Sequence, residues 1–275
     1  MDYLGMQELQ MKPKLVVVGA AGRMGRRIIA LAAESGRFDI VGAIENEGHS
    51  EIGKDAGLTA GIGPLNVALG SSWPAGANLA IDFSLPEAVD KTVQQCTARD
   101  AALVMGTTGL TAAQQETLKA AAGKIPIVYA TNMSVGMNVL FSIVGKVAAM
   151  LGEDYDIEIV EEHHRFKKDA PSGSALTLAQ NICQATGRPY PDSLIHGRSG
   201  KDALRKKGEI GMHAVRAGDI TGVHSVLYST LGETITVNHT AHSRDTLVRG
   251  ALRAAEWLIG KPPALYSMAD VLGIK

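Results

Sequence analysis

The sequence has almost no charge imbalance: 27 lysines and arginines stand against 28 aspartates and glutamates in 275 residues. Without a global field of either sign the chain collects neither nucleic acid nor anionic membrane, so any anion must be bound locally. Cysteine is nearly absent too. Cys96 and Cys183 lie far apart in apolar, helix-like surroundings, which reads as two buried free thiols in a reducing compartment and excludes a disulfide scaffold. No uninterrupted apolar run reaches the roughly 18 residues of a membrane span. The amino-terminal stretch MDYLGMQELQMKPK has no basic region followed by an apolar block, the pattern a secretion signal requires. These absences predict a cytoplasmic, soluble protein with no nucleic-acid and no membrane partner, long enough for one large domain or two modest ones.

What is present begins with KLVVVGAAGRMGRRIIALAAE. Leu15 to Val18 form a short β-branched run suited to a strand buried on both faces, and apolar residues recur at helical spacing after Gly25. Between them Gly19, Gly22 and Gly25 make GxxGxxG, with Ala20 and Met24 inside the same turn. This is a respaced dinucleotide fingerprint, in which missing side chains let the backbone approach a pyrophosphate at a helix amino terminus. Arg23 adds a mobile cation there. A tight turn with close helix packing is the competing reading of the glycines. A second buried strand, in FDIVGAIENEG, ends in Glu45, about twenty residues beyond the glycine turn, where an acid holds the adenosine ribose. Its neighbour Asn46 is neutral, so the cofactor expectation is NADH or mixed NADH and NADPH use, unless Arg23 or Lys54 reaches a 2′-phosphate.

Strands and helices then alternate. NLAIDFS is a strand ending at Asp82, PEAVDKTVQQCTARD an amphipathic helix begun by Pro86, and AALVMGTTGL a strand ending in Gly106, Thr107, Thr108 and Gly109. TAAQQETLKAAAG is a helix capped by Thr111, and IPIVYATNMS another strand. Such alternation predicts an α/β fold with a doubly wound parallel sheet, whose ligands lie beyond the carboxyl ends of the strands. Gly19, Glu45, Phe83, Gly106, Thr107, Ala130 and Asn132, followed by Met133, fall at those ends.

After the apolar helix SVGMNVLFSIVGKVAAML the pattern changes. DYDIEIVEEHH, IGMHAVRAG, GVHSVLYST and ETITVNHTAHS alternate apolar and polar residues, as half-buried antiparallel strands do. The final helix DTLVRGALRAAEWLIG carries Trp257 on its apolar side. The expected division is a dinucleotide-binding domain over 1–134 and 245–275 and a second α+β domain over 135–244, joined closely around a cleft.

The densest stretch is EEHHRFKKDAPSGSAL, residues 161–176. Adjacent strand residues face opposite sides, so His163 and His164 cannot serve one metal ion unless the strand has ended, and the spacing of a structural zinc site is missing. No metal is expected. Pro171 and Ser172 define a helix start, and Gly173 lets a ligand approach its first free amides, where a carboxylate could dock. Lys167, His163 and His164 are then candidates for giving a proton and for neutralising a second carboxylate. The competing reading is a solvated charged turn beside satisfied strand-end histidines.

Taken in order, GAAGRMG, MGTTG, ATNMSVG, EEHHRFKKDAPSGSAL, RAGDITGVH and HSRDTLVRGAL resemble the dihydrodipicolinate reductase family from about residue 14 to the carboxyl end. The resemblance implies a Rossmann nucleotide domain, a second domain whose sheet builds a homotetramer, and reduction of 4-hydroxy-tetrahydrodipicolinate, by way of dihydrodipicolinate, by NADH or NADPH in diaminopimelate and lysine biosynthesis. It implies His163 as proton donor, Lys167 as its assistant, His164 as a carboxylate contact, and Gly173 and Ser174 as the holders of the other carboxylate. Arg244 matches a motif arginine near the nucleotide domain. Ser174 stands where threonine is usual and keeps the hydroxyl; Phe166 replaces a residue that is often polar; Asn46 stands where a basic residue often selects NADPH. Two other functions fit the residues: a reductase of another imino or oxo dicarboxylate, similar to aspartate dehydrogenase, and a non-catalytic nucleotide-sensing module.

Overall fold

The structure is a computed structural model and describes residues 11–274; most of the stretch searched for a secretion signal lies outside the described residues. The chain runs β1 (Lys14–Val18), α1 (Arg23–Ser35), β2 (Asp39–Ile44), α2 (Ala56–Ala60), β3 (Leu69–Gly70), β4 (Leu79–Asp82), α3 (Val89–Thr97), β5 (Ala102–Met105), α4 (Ala112–Ala122) and β6 (Pro126–Tyr129). It continues through α5 (Val135–Leu151), β7 (Asp156–His163), α6 (Gly173–Thr186), β8 (Leu194–His196), β9 (Ile210–Arg216), β10 (Gly222–Thr230) and β11 (Glu233–Ala241), and ends with α7 (Asp245–Leu258), β12 (Ala264–Tyr266) and α8 (Met268–Leu272).

Among the described residues two compact units result: 11–130 with Val248–Ser267, and Thr131–Leu247 with 268–274. Residues 131–134, 245–247 and 268–274, expected with the nucleotide-binding half, group with the second unit. Ser134 caps α5 by accepting from Met137 N, and α8 packs on α5.

In the first unit a seven-stranded sheet has the order β12-β6-β5-β4-β1-β2-β3, and every pairing is parallel. Each crossover passes over a face of the sheet, so central strands are covered on both sides and need continuous apolar runs. LAID of β4 and ALVM of β5 are buried at every position, and so are the last four residues of β1. Pro86 opens a short 3-10 turn over Pro86–Ala88 ahead of α3, and Thr111 caps α4 in a capping box with Gln114. The strand order reverses at β1, which lies between β2 and β4. Ligands of doubly wound sheets bind at the carboxyl ends of strands flanking such a reversal.

The second unit holds a five-stranded sheet in the order β11-β10-β7-β9-β8. The antiparallel expectation holds for β10 with β11 and with β7. It fails for β9, which runs parallel to both β7 and β8. The reason is the connection: the chain from β7 to β9 passes through α6, and a helical crossover returns the strand in the same direction. One sheet face packs on α5 and α6, with Ile157, Ile159, Met212, Val226 and Tyr228 in the core; the buried Tyr228 hydroxyl donates to Val144 O at 2.7 Å. Cys96 and Cys183 are both buried and free. No helix among the described residues is long and apolar enough to cross a membrane.

Candidate active site

In the first unit the site is built by the absence of side chains. Gly19 takes φ +74, and a Cβ there would lie 2.9 Å from Phe83 O. Its N–H and that of Ala20 both donate to Ile44 O, at 2.9 and 3.0 Å, which ties the turn to the end of β2. A Cβ on Gly25 would stand 2.1 Å from Gly19 O, so α1 can approach the strand only with glycine there. The helix begins at Gly22 with no side-chain cap, leaving first-turn amides and the positive end of the dipole for an anion. Arg23 is exposed and Met24 half-buried in that turn.

Glu45 follows β2 and faces this turn: Oε2 accepts from Ala21 N at 3.0 Å and Oε1 from Asn46 N at 2.9 Å. The Asn46 side chain closes its own turn by accepting from Gly48 N at 3.0 Å. Gly19, Gly22, Glu45, Asn46 and Phe83 line one cavity of about 660 Å³ together with Trp73 and Lys91. Gly106, Thr107 and Thr108 follow β5. Gly106 is bare because a Cβ would meet the Phe83 ring at 2.3 Å, and Ala130 N donates to Met105 O at 3.3 Å. Thr107 Oγ1 donates at 2.8 Å to Asp82 Oδ1, which also takes the Ser84 amide and hydroxyl at 2.8 and 2.6 Å. Asp82 is fully buried, a knot between the β4 and β5 ends that the sequence reading did not assign.

The second unit carries the other predicted site residues. His163 is the last residue of β7 and His164 lies just beyond it; the His163 ring meets His224 and the His164 ring meets Phe166. Ser172 caps α6 by accepting from Ala175 N at 3.2 Å, as expected. Gly173 opens the helix, and a Cβ there would have nothing within 4 Å, so packing does not require its bareness. Asn132 Nδ2 donates to Ser174 Oγ at 3.0 Å, while Asn132 Oδ1 accepts from Ser134 N at 2.9 Å. Met133 is buried beside them. Lys167 Nζ pairs with Asp169 at 2.8 Å. Arg244 is exposed, in the turn leading into α7. Asn132, Met133 and Arg244, expected at the cofactor, therefore belong to the second unit.

Around His163 lies a polar network that sequence reasoning missed. Glu161 is 1% exposed at its side chain and accepts from Arg216 Nη1 at 3.0 Å, Arg216 Nη2 at 2.7 Å, Ser172 N at 3.0 Å and His163 Nδ1. His224 packs edge-on against His163 with centroids 5.2 Å apart, and its Nε2 meets Ser172 Oγ at 3.3 Å. His239 Nε2 meets Ser134 Oγ at 3.4 Å. A signal for Glu161 was available: it shares strand parity with Ile157 and Ile159, which places it on the core face. Arg216 shares parity with Ile210 and Met212, and His224 with Val226 and Tyr228, but their meeting with Glu161 and His163 carried no local signal, because the register that brings them in joins strands far apart in sequence.

Burial is the largest influence on His163 and lowers its pKa; the Glu161 carboxylate opposes this, while Lys167 and Arg216 add to it. Burial drives His224 down to about 4, helped by His163, and lowers His239 as well. For Glu161 burial acts upward, but Arg216, His163 and the Ser172 amide outweigh it and hold the carboxyl below its ordinary range. The result is an imidazole between one buried anion and two cations, beside a helix start able to take a carboxylate. Among the described residues no group of three or more His, Cys, Asp or Glu could hold a metal ion.

Comparison with known proteins bears on the whole chain. The family model described as "Dihydrodipicolinate reductase, N-terminus" matches residues 13–133, and "Dihydrodipicolinate reductase, C-terminus" matches residues 136–272. The 4-hydroxy-tetrahydrodipicolinate reductase of Geobacter sulfurreducens is 46% identical over 265 residues, 95% of this chain and 99% of its own. That of Alkalilimnicola ehrlichii is 45% identical over 267 residues, 96% of this chain and 100% of its own. Among solved structures, a dipicolinate-bound dihydrodipicolinate reductase from Paenisporosarcina sp. TG-14 has the same fold, with a TM-score of 0.71 at 19% identity, covering 94% of this chain and 99% of that one. With both halves matched in order and near-complete relatives above two-fifths identity, the chain belongs to the dihydrodipicolinate reductase family.

Proposed function

We propose that the protein reduces 4-hydroxy-tetrahydrodipicolinate, by way of dihydrodipicolinate, to tetrahydrodipicolinate with NADH or NADPH, in the synthesis of diaminopimelate and lysine. The observation that carries the reading is the second-unit site: an imidazole fastened to a buried carboxylate, a lysine and the open start of α6 in one block, in a chain whose relatives at about 45% identity carry that name. The residues of the first unit fit a dinucleotide. The uncapped start of α1 and the bare Gly19, Gly22 and Gly25 would hold the pyrophosphate, with Ala20, Arg23 and Met24 in the same turn. Glu45 and Asn46 would take the ribose, and Phe83, Gly106, Thr107, Thr108 and Ala130 the strand-end contacts; Asn132, Met133 and Arg244 complete the proposed cofactor residues. When bound, the reduced nicotinamide supplies the hydride, which goes to C4 of the dehydrated ring.

The chain's own residues supply binding and the proton. Gly173 and Ser174 hold one ring carboxylate through the amides at the start of α6 and the Ser174 hydroxyl, and His164 contacts the other. His163 gives a proton to C3, and Lys167 assists and balances the second negative charge. A cytoplasmic homotetramer fits the same reading. The outward sheet face of the second unit carries the half-buried Val160, Val223 and Leu227, ending in the nine-residue edge strand β11, a surface suited to a second copy. Adding the freshly prepared cyclic substrate to protein and NADH should give loss of reduced-nicotinamide absorbance in proportion to substrate. Tight cofactor binding with no such loss would overturn the reading.

A further inference from the structure

RAGDITGVH, residues 216–224, is a motif to which the reading above gives no task. In the structure it braces the 161–174 block from below. Arg216 donates to both Glu161 oxygens, and its Nη2 also reaches Asp169 O at 2.6 Å. Ala217 N donates to the His163 carbonyl at 2.9 Å, and Arg165 N to the Gly218 carbonyl at 3.2 Å. Gly222 lies against the His163 ring: a Cβ there would stand 3.2 Å from Nε2. His224 closes the side of the ring. One nitrogen of His163 is thus fastened to a buried carboxylate, and the other lies over a residue with no side chain.

We propose that Glu161 and Arg216 form one positioning unit that fixes His163 with Nδ1–H on the carboxylate and presents Nε2–H as the proton that leaves. The proposal rests on the reading of His163 as proton donor and deepens it. In the step the Nε2–H bond breaks as a C–H bond forms at the ring carbon, the imidazole ends neutral with its hydrogen on Nδ1, and Glu161 stays ionised. Arg216 is what keeps it so, because an unpaired carboxyl in that setting would hold the proton itself. The charged and titratable groups facing His163 are Glu161 on its own strand, Arg216 from β9, His224 from β10 and Lys167 from the following loop. Glu161 alone favours the imidazolium, and Gly222 keeps space beside the donating nitrogen.

The test combines nitrogen NMR of histidine-labelled protein with kinetics. In the unsubstituted protein, neutral His163 should carry its hydrogen on Nδ1. E161Q should lower the His163 pKa, move the basic limb of the kcat profile to lower pH and cut kcat about 10- to 100-fold, with KM for the ring substrate and cofactor binding within about twofold. E161D should restore part of the loss. A folded E161Q whose limb and His163 titration are unmoved, while H163A is inactive, overturns the proposal and leaves the reading of His163 intact. Full turnover in H163A overturns that reading and the proposal with it, whatever E161Q does to the titration. Should E161Q not fold, the unsubstituted protein still decides: His163 with its hydrogen on Nε2 overturns the proposal.

Discussion

The Asn132 side-chain amide donates to the Ser174 hydroxyl at 3.0 Å, linking the turn that caps α5 to the first turn of α6. Because Asn132 occupies a lone pair of Ser174 Oγ, the hydroxyl hydrogen is free to point at an anion on the helix start. S174A should raise KM for the dicarboxylate about tenfold or more, the worth of one hydrogen bond to a charged group, with kcat changed less. S174T should be nearly neutral. Steady-state kinetics on both variants checks this, and an unchanged KM in S174A removes the hydroxyl from substrate binding.

Loss of the proton donor should appear in turnover and not in cofactor affinity. H163A and K167A should each lower kcat by about 10²- to 10⁴-fold, while NADH still quenches protein fluorescence with an unchanged Kd. The cofactor residues of the first unit lie on other elements, from the glycine turn to the β6 end, so their geometry should survive. Wild-type turnover in folded samples of both variants would exclude the two residues from the chemistry.

His224 makes stability depend on pH. Its folded pKa, about 4, lies below its unfolded value of 6.5, so between those values the unfolded chain binds a proton that the folded chain does not. Stability is complete above the unfolded value and is lost as pH falls toward about 4, by roughly 3 kcal/mol in all from this one group. Half-buried His239 and His163 are shifted in the same direction. Urea midpoints between pH 7 and pH 4 should therefore fall about as these groups charge, and H224N should flatten the slope. An identical slope in H224N would contradict the assignment.

Cofactor choice should follow the neutral Asn46. Glu45 faces the glycine turn, and Lys54 is paired with Glu51 at 3.0 Å, which leaves the neutral Asn46 next to the acid on the ribose side. The kcat/KM with NADH should be at least comparable to that with NADPH, and N46R should shift the ratio toward NADPH by about tenfold. A strong NADPH preference in the unsubstituted protein would implicate Arg23 or Lys54 instead.

Two glycines should respond in opposite ways. At Gly25 an added Cβ meets backbone at 2.1 Å that cannot move aside, so G25A should cost about 3 kcal/mol or more and abolish cofactor binding. At Gly173 the space is open, so G173A should fold with unchanged stability and raise KM for the ring substrate. Thermal melts together with kinetics separate the two effects.

The sequence by itself determined the features that are local. The alternation of apolar runs and helices, the glycine turn at residues 19–25 and the Thr111 and Ser172 caps each depend on neighbours within a few residues, and periodicity and capping chemistry act over that range. Tertiary structure alone decided the rest. That β9 runs parallel to β7 depends on the path of the connection through α6, which the alternation of side chains does not encode. That Arg216 closes on Glu161 depends on a strand register between residues 55 apart, and that Gly222 rather than a bulky residue lies under His163 depends on the pairing of β10 with β7. A buried charge is stable only where its partners are brought to it, and which partners arrive is settled by packing across the whole unit.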